Sequence, residues 1–229
     1  MPADLIELYR PYRRKTRIGN RPALVLIDLY DLVYQGGPRP PIELQDKYPS
    51  SCGIYAHRAI EPTMRLLRIC RTAGMPVIYA TKDLRENAAP PGTRGTHRKP
   101  ARPDPSDYAI RQEFRPGPED LIIYKQRASI FAGTPLVSHL TMLAVDSLVV
   151  CGESTSGCVR ASCVDAYSAG YHVSLIEDCT FDRHELVHKF NLFDLHHKYA
   201  DVFGLDAFET EISSRRRGWQ TAEQASRHP

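Results

Sequence analysis

Pro22-Ala-Leu-Val-Leu-Ile-Asp28 decides the fold of this 229-residue chain. The run is apolar and partly β-branched without alternation, which is the pattern of a strand buried on both faces of a parallel sheet. It ends in a carboxylate. Downstream, apolar residues recur at helical spacing between Tyr55 and Thr72 (Ile60, Met64, Leu67), Gly74 stops that helix, and Pro76-Val-Ile-Tyr-Ala-Thr81 starts a second strand. Together these segments form a βαβ unit.

The same alternation resumes after residue 118. Strand Asp120–Lys125, a helix from Thr134 with Pro135 in its first turn, strand Ser147–Gly152, a helix from about Gly157 to Ala169 and strand His172–Glu177 follow in order. A helix from about Arg183 to His197 precedes a last strand within Tyr199–Phe203 and a short helical stretch. Strands alternating with helices predict a single α/β domain: a doubly wound, six-stranded parallel sheet in the order 3-2-1-4-5-6 with helices on both faces. Residues 1–20 read as an amino-terminal arm, 21–212 as the domain and 213–229 as a polar, frayed tail. The proline-, glycine- and arginine-rich segment 82–118 reads as a long loop over the sheet edge, of the kind that closes over sites.

Composition narrows the function. With 42% hydrophobic and 25% charged residues the chain is of ordinary globular type, and no apolar run is long enough to span a bilayer. Thirty Lys and Arg against 27 Asp and Glu leave a net charge of +3, short of the basic footprint of a nucleic-acid protein. The first twenty residues hold no uninterrupted apolar stretch of signal-peptide type, so a cytoplasmic location is expected. The six cysteines include no CxxC pair and are expected to be reduced thiols.

Ligand crevices in open parallel sheets lie beyond the carboxyl ends of the strands, where the winding reverses. Asp28 and Lys125 end the first and third strands, and Cys158 follows the fourth after the turn Gly152-Glu-Ser-Thr-Ser-Gly157. A cysteine at a helix start is expected to favour the thiolate, as befits a nucleophile. The small-residue turn lets backbone amides approach a substrate oxyanion. Asp28 suits a proton carrier, with Lys125 holding the carboxylate ionised.

Ala23-Leu-Val-Leu-Ile-Asp28, Lys125-Gln-Arg-Ala-Ser-Ile-Phe-Ala-Gly-Thr-Pro135 and Cys151-Gly-Glu-Ser-Thr-Ser-Gly-Cys-Val-Arg160 together resemble the isochorismatase-like cysteine hydrolases. Within that family the likeness is to the N-carbamoylsarcosine and maleamate amidohydrolase branch, over about residues 19 to 210. The resemblance implies a catalytic triad of Asp28, Lys125 and Cys158, a cis peptide at Glu153–Ser154 and an oxyanion site made by the backbone N–H groups of Ser154 and Cys158. Relatives often have Thr where this chain has Ser154. Arg183, in Glu177-Asp-Cys-Thr-Phe-Asp-Arg183, falls where the branch places an arginine that holds a substrate carboxylate, and Thr155 is the second implied substrate contact. The nicotinamidase branch binds metal through an Asp-x-His element, but here that place reads Asp83-Leu-Arg85 and arginine is no metal ligand. The resemblance therefore implies a small amide or carbamoyl substrate cleaved through a thioester, no cofactor or metal, and a homo-oligomer, dimer or tetramer, with the arm and the long loop as candidate contacts.

Competing readings remain open at this level. The substrate could instead be a ureido compound of biuret or ureidoacrylate type. His184-Glu-Leu-Val-His188 fits the HExxH pattern of zinc peptidases, with Glu209 as a possible third ligand. A catalytically silent scaffold is the third alternative, although all three triad residues are present.

Overall fold

Burial on both faces makes the first strand the centre of the molecule. The computed structural model describes residues 1–85 and 104–226, with side chains as far as residue 215. Along β1 (Pro22–Ile27) every residue is buried. Leu24 and Leu26 point into one apolar layer, while Ala23, Val25 and Ile27 point into the other. Such double-sided burial is why the strand reads as a continuous apolar run.

An amino-terminal helix, α1 (Ala3–Leu8), precedes β1, and α2 (Pro41–Leu44), α3 (Gly53–Arg58) and α4 (Ile60–Thr72) follow it. The helical run expected from Tyr55 onward is thus divided at Ala59. Thr63, Leu66, Leu67 and Cys70 form the buried stripe of α4, at the spacing of one helical face. The chain continues through β2 (Val77–Lys82), β3 (Leu121–Lys125), α5 (Leu136–Met142), β4 (Ser147–Glu153), α6 (Arg160–Ser168), β5 (His172–Phe181), α7 (Glu185–Lys198), β6 (Asp201–Phe203) and α8 (Leu205–Ser226). All strand pairs are parallel and the sheet order is β3-β2-β1-β4-β5-β6. The expected doubly wound sheet is the observed one, with the reversal of winding between β1 and β4.

Helices cover both faces. Leu66 and Leu67 of α4 and Phe208 and Ile212 of α8 fill one layer; Leu136 and Leu140 of α5, Cys163 of α6 and Leu192 and Leu195 of α7 fill the other. No helix among the described residues is long and apolar enough to cross a membrane.

The largest departure from the expected elements is β5, which runs to Phe181 instead of ending near Glu177. Val150 pairs with Leu175 but Gly152 pairs with Thr180, so an irregularity in β5 lets the strand continue beside the end of β4. The final helix is also longer than a short stretch, continuing through the polar segment to Ser226. The amino-terminal arm packs on its own chain: Tyr9 meets the rings of Phe193 and His197, and Ile18 is buried. Residues 86–103, about half of the segment expected as a long loop, lie outside the described residues. The part after them is anchored by buried Tyr108 and Phe114 and by a bridge between Tyr30 and Ile110.

Candidate active site

β1 and β4 lie side by side, with Ile27 opposite Gly152. A Cβ on Gly152 would come within 2.1 Å of the Ile27 carbonyl oxygen, and its φ is +117°, so the close approach of the two strand ends requires glycine. Just beyond them, Asp28 adopts a left-handed φ of 54° and the Glu153–Ser154 peptide is cis. Asp28 accepts a hydrogen bond at 2.8 Å on Oδ2 from Nζ of Lys125, the last residue of β3. Lys125 donates a second bond to the Arg127 carbonyl at 3.2 Å. Both members of this ion pair are buried.

Cys158 interacts with both. It sits in a wide π-type turn, Thr155–Val159, that precedes α6. Gly157 has non-helical dihedrals there, and a Cβ on it would lie 2.5 Å from Ser154 Oγ. The N–H groups of Gly157 and Val159 both donate to the Ser154 carbonyl, at 2.9 and 3.1 Å, and close the turn around the cysteine. All six cysteines are free; Cys158 is partly exposed and the other five are buried.

The electrostatics correct one expectation. A cysteine opening a helix is expected to favour the thiolate, yet burial first, and then the negative charges of Asp28 and Glu153, push the Cys158 thiol well above its ordinary value, against the lowering influence of Lys125. Its position within the wide turn, before α6 begins at Arg160, is the structural difference from the expected helix start. Burial by itself would lower the Lys125 pKa, but the adjoining Asp28 and Cys158 more than offset it and hold the ammonium above the usual range. Asp28 Oδ1 is buried and takes no hydrogen bond among the described residues. Cys158, its thiol pKa raised, thus stands beside the buried Asp28–Lys125 ion pair.

Other expected residues fall into different roles. Thr155 is fully buried and its Oγ1 lies 2.7 Å from Nδ1 of His188, so its hydroxyl is used inside the protein and not presented to a substrate. Burial lowers the His188 pKa below its usual value. His184 Nδ1 accepts from the Leu186 N–H and caps α7. Glu209 pairs with Arg65 between α4 and α8, on other helices from the two histidines, so the three residues of the zinc-peptidase reading do not assemble. Arg85 pairs with Asp83 and holds that carboxyl below the usual range. Arg183 is partly buried and its Nε has no partner among the described residues.

Asp182, given no role in the reading of the sequence, links two of these segments. It is buried just past β5 and its two oxygens accept from the Ser156 and Arg183 N–H groups, both at 2.8 Å. The available signal was an aspartate two residues before the α7 cap, but its contact with the Cys158 turn accompanies the extension of β5 to Phe181.

These features coincide with known proteins. The isochorismatase domain model matches residues 22–207. N-carbamoylsarcosine amidase of an Arthrobacter species is 32% identical over 206 residues, covering 86% of this chain and 74% of that protein. Maleamate amidohydrolase of Pseudomonas putida is 32% identical over 188 residues, covering 80% of this chain and 83% of that protein. Among solved structures, a cysteine hydrolase from Pseudomonas syringae superposes with a TM-score of 0.72 at 20% identity, covering 88% of this chain and 99% of the other. The chain belongs to the isochorismatase family. Its enzyme class is that of hydrolases acting on carbon–nitrogen bonds other than peptide bonds, as the names of these relatives indicate.

Proposed function

We propose that this chain is a cysteine-dependent amidohydrolase that removes ammonia from a small carboxamide or carbamoyl compound bearing a carboxylate. The observation that carries the reading is the buried Asp28–Lys125 pair beside the partly exposed Cys158 at the reversal of the sheet. In the proposed reaction Cys158 Sγ attacks the amide carbon as its proton passes to Asp28. The raised thiol pKa fits a proton transfer concerted with attack. Backbone N–H groups of Ser154 and Cys158 are proposed to hold the resulting oxyanion. As the tetrahedral adduct collapses, Asp28 returns the proton to the leaving nitrogen and ammonia departs, leaving a thioester. Water then attacks the thioester with Asp28 as base, the acyl or carbamoyl product is released, and the thiol is restored. Lys125 holds the carboxylate in place through both proton transfers.

Arg183 supports the carboxylate part of the reading, because its buried, unpartnered Nε belongs to a planar fork suited to bidentate recognition. The reading shares its substrate class with the relatives named for N-carbamoylsarcosine and maleamate. An ammonia-release screen across N-carbamoyl amino acids, maleamate-type acids and neutral ureido compounds tests it, with Arg183→Ala run in parallel. Activity on acidic amides should fall by roughly two orders of magnitude in kcat/KM, with much less loss on neutral ones. Preference of the native enzyme for a neutral ureido substrate, or an unchanged acidic-to-neutral ratio in Arg183→Ala, would reject the carboxylate-selective reading.

A further inference from the structure

The nucleophile turn and the arginine are far apart in sequence but are joined through one side chain. Asp182 Oδ2 accepts from the N–H of Ser156, two residues before Cys158, while Oδ1 accepts from the N–H of Arg183. A second tie lies next to it, where Thr155 Oγ1 and His188 Nδ1 meet at 2.7 Å and fasten the start of the same turn to α7. Paired ties of this kind restrict both translation and rotation of the turn relative to the β5–α7 connection. The irregular register of β5 makes the arrangement possible, since Phe181 is thereby brought opposite Glu153.

We propose that Asp182, seconded by His188, is a specificity-determining positioning residue that fixes the span between the Cys158 sulfur and the Arg183 guanidinium. That span sets the separation of the scissile amide carbon and the carboxylate in the preferred substrate. The inference rests on the carboxylate-binding reading of Arg183. It adds that the enzyme measures substrate length, and that the measuring element is an acceptor shared between two backbone N–H groups. Neither residue touches the reacting atoms. Asparagine at position 182 would keep one acceptor oxygen and turn an N–H donor toward the other amide, leaving that amide unpaired and the span loose.

The test uses malonamic, succinamic and glutaramic acids, which differ by one methylene in the distance from amide to carboxylate, with propionamide as the neutral reference. The native enzyme should favour one of the three acids by about tenfold or more in kcat/KM. Asp182→Asn should flatten this preference to within about threefold while losing rate most on the favoured length, and His188→Ala should shift it in the same direction by less. A native enzyme indifferent to length, or an Asp182→Asn enzyme that is uniformly slower with the native length ratio intact, would overturn the inference. Circular dichroism checks folding, and if Asp182→Asn does not fold, the His188→Ala length profile decides by the same criterion. Arg183→Ala separates the two levels. If it erases the preference of acids over propionamide while Asp182→Asn and His188→Ala retain the length ratio, only the span inference fails. If Arg183→Ala leaves that preference unchanged, the carboxylate reading fails and the span inference with it.

Discussion

Two buried aspartates stand at opposite edges of the sheet and meet their surroundings in opposite ways. At the amino edge, Asp201 opens β6, with Oδ1 2.8 Å from Arg14 and Oδ2 accepting from the Arg17 N–H at 3.1 Å while lying 3.2 Å from His172 Nε2. Burial would raise its pKa, but the bonds from His172 and Arg17 and the charge of Arg14 prevail and hold it below the usual range. At the carboxyl edge, Asp28 accepts from Lys125 on one oxygen and lies beside the Cys158 thiol. Asp201 has the Arg14 charge against Oδ1 and the Arg17 N–H and His172 against Oδ2, and fastens the arm to the domain, although its Oδ1, like that of Asp28, takes no hydrogen bond among the described residues. Asp28 instead lies between a cation and a thiol, the placement that the proposed proton carrier needs. Two aspartates that are equally buried, each with such an Oδ1, thus differ in what lies beside them: an arginine, a histidine and a backbone N–H at Asp201, a lysine and a thiol at Asp28.

The contrast can be broken most directly at the carboxyl edge. Cys158→Ala should reduce turnover by about four orders of magnitude or more with the far-ultraviolet circular dichroism spectrum retained. Asp28→Asn should lose about three orders of magnitude, because the acceptor is replaced by an amide that cannot carry the proton. Normal turnover in either variant would remove Cys158 or Asp28 from the chemistry.

A smaller effect sharpens the electrostatic side. Because burial and the neighbouring carboxylates raise the Cys158 thiol pKa, its alkylation by iodoacetamide should still climb about tenfold per pH unit from pH 7 to 9. Peptide mapping should place the modification on Cys158, since the other five cysteines are buried. A plateau already reached near neutrality would mean a resting thiolate and would reverse the picture of a thiol activated during attack.

The smallest effect on catalysis is expected at the amino edge. Asp201→Asn should lower stability by about 1–3 kcal/mol in urea unfolding and leave kcat/KM within about twofold. The sign follows from the lowered native pKa: the stabilisation is present above the unfolded carboxyl value and is lost as pH falls through the lower folded value. The stability difference between native and Asp201→Asn proteins should accordingly shrink in acid. A loss of turnover comparable to that of Asp28→Asn would erase the distinction between the two aspartates.

Much of the candidate site could be read along the chain because its parts stand at or just beyond the ends of regular elements. Asp28 closes an apolar run, Lys125 closes β3, and Cys158 follows a turn of small residues, so the parallel order of strands was enough to bring all three to one edge. Asp182 and the Thr155–His188 pair were not legible in that way. Their partners are 26 and 33 residues away, and their meeting depends on a change of register within β5 that no periodicity announces.

By itself, then, the sequence determined the sheet, its winding and the edge at which chemistry could gather, because hydrophobic periodicity and glycine-rich turns act over a few residues at a time. Three features depended on how distant segments pack: the raised pKa of the Cys158 thiol, the inward turn of the Thr155 hydroxyl and the tie that Asp182 makes between the Cys158 turn and Arg183. Desolvation and hydrogen-bond pairing depend on which groups from distant segments surround an atom, and those neighbours exist only once the strands have paired and the helices have closed over them.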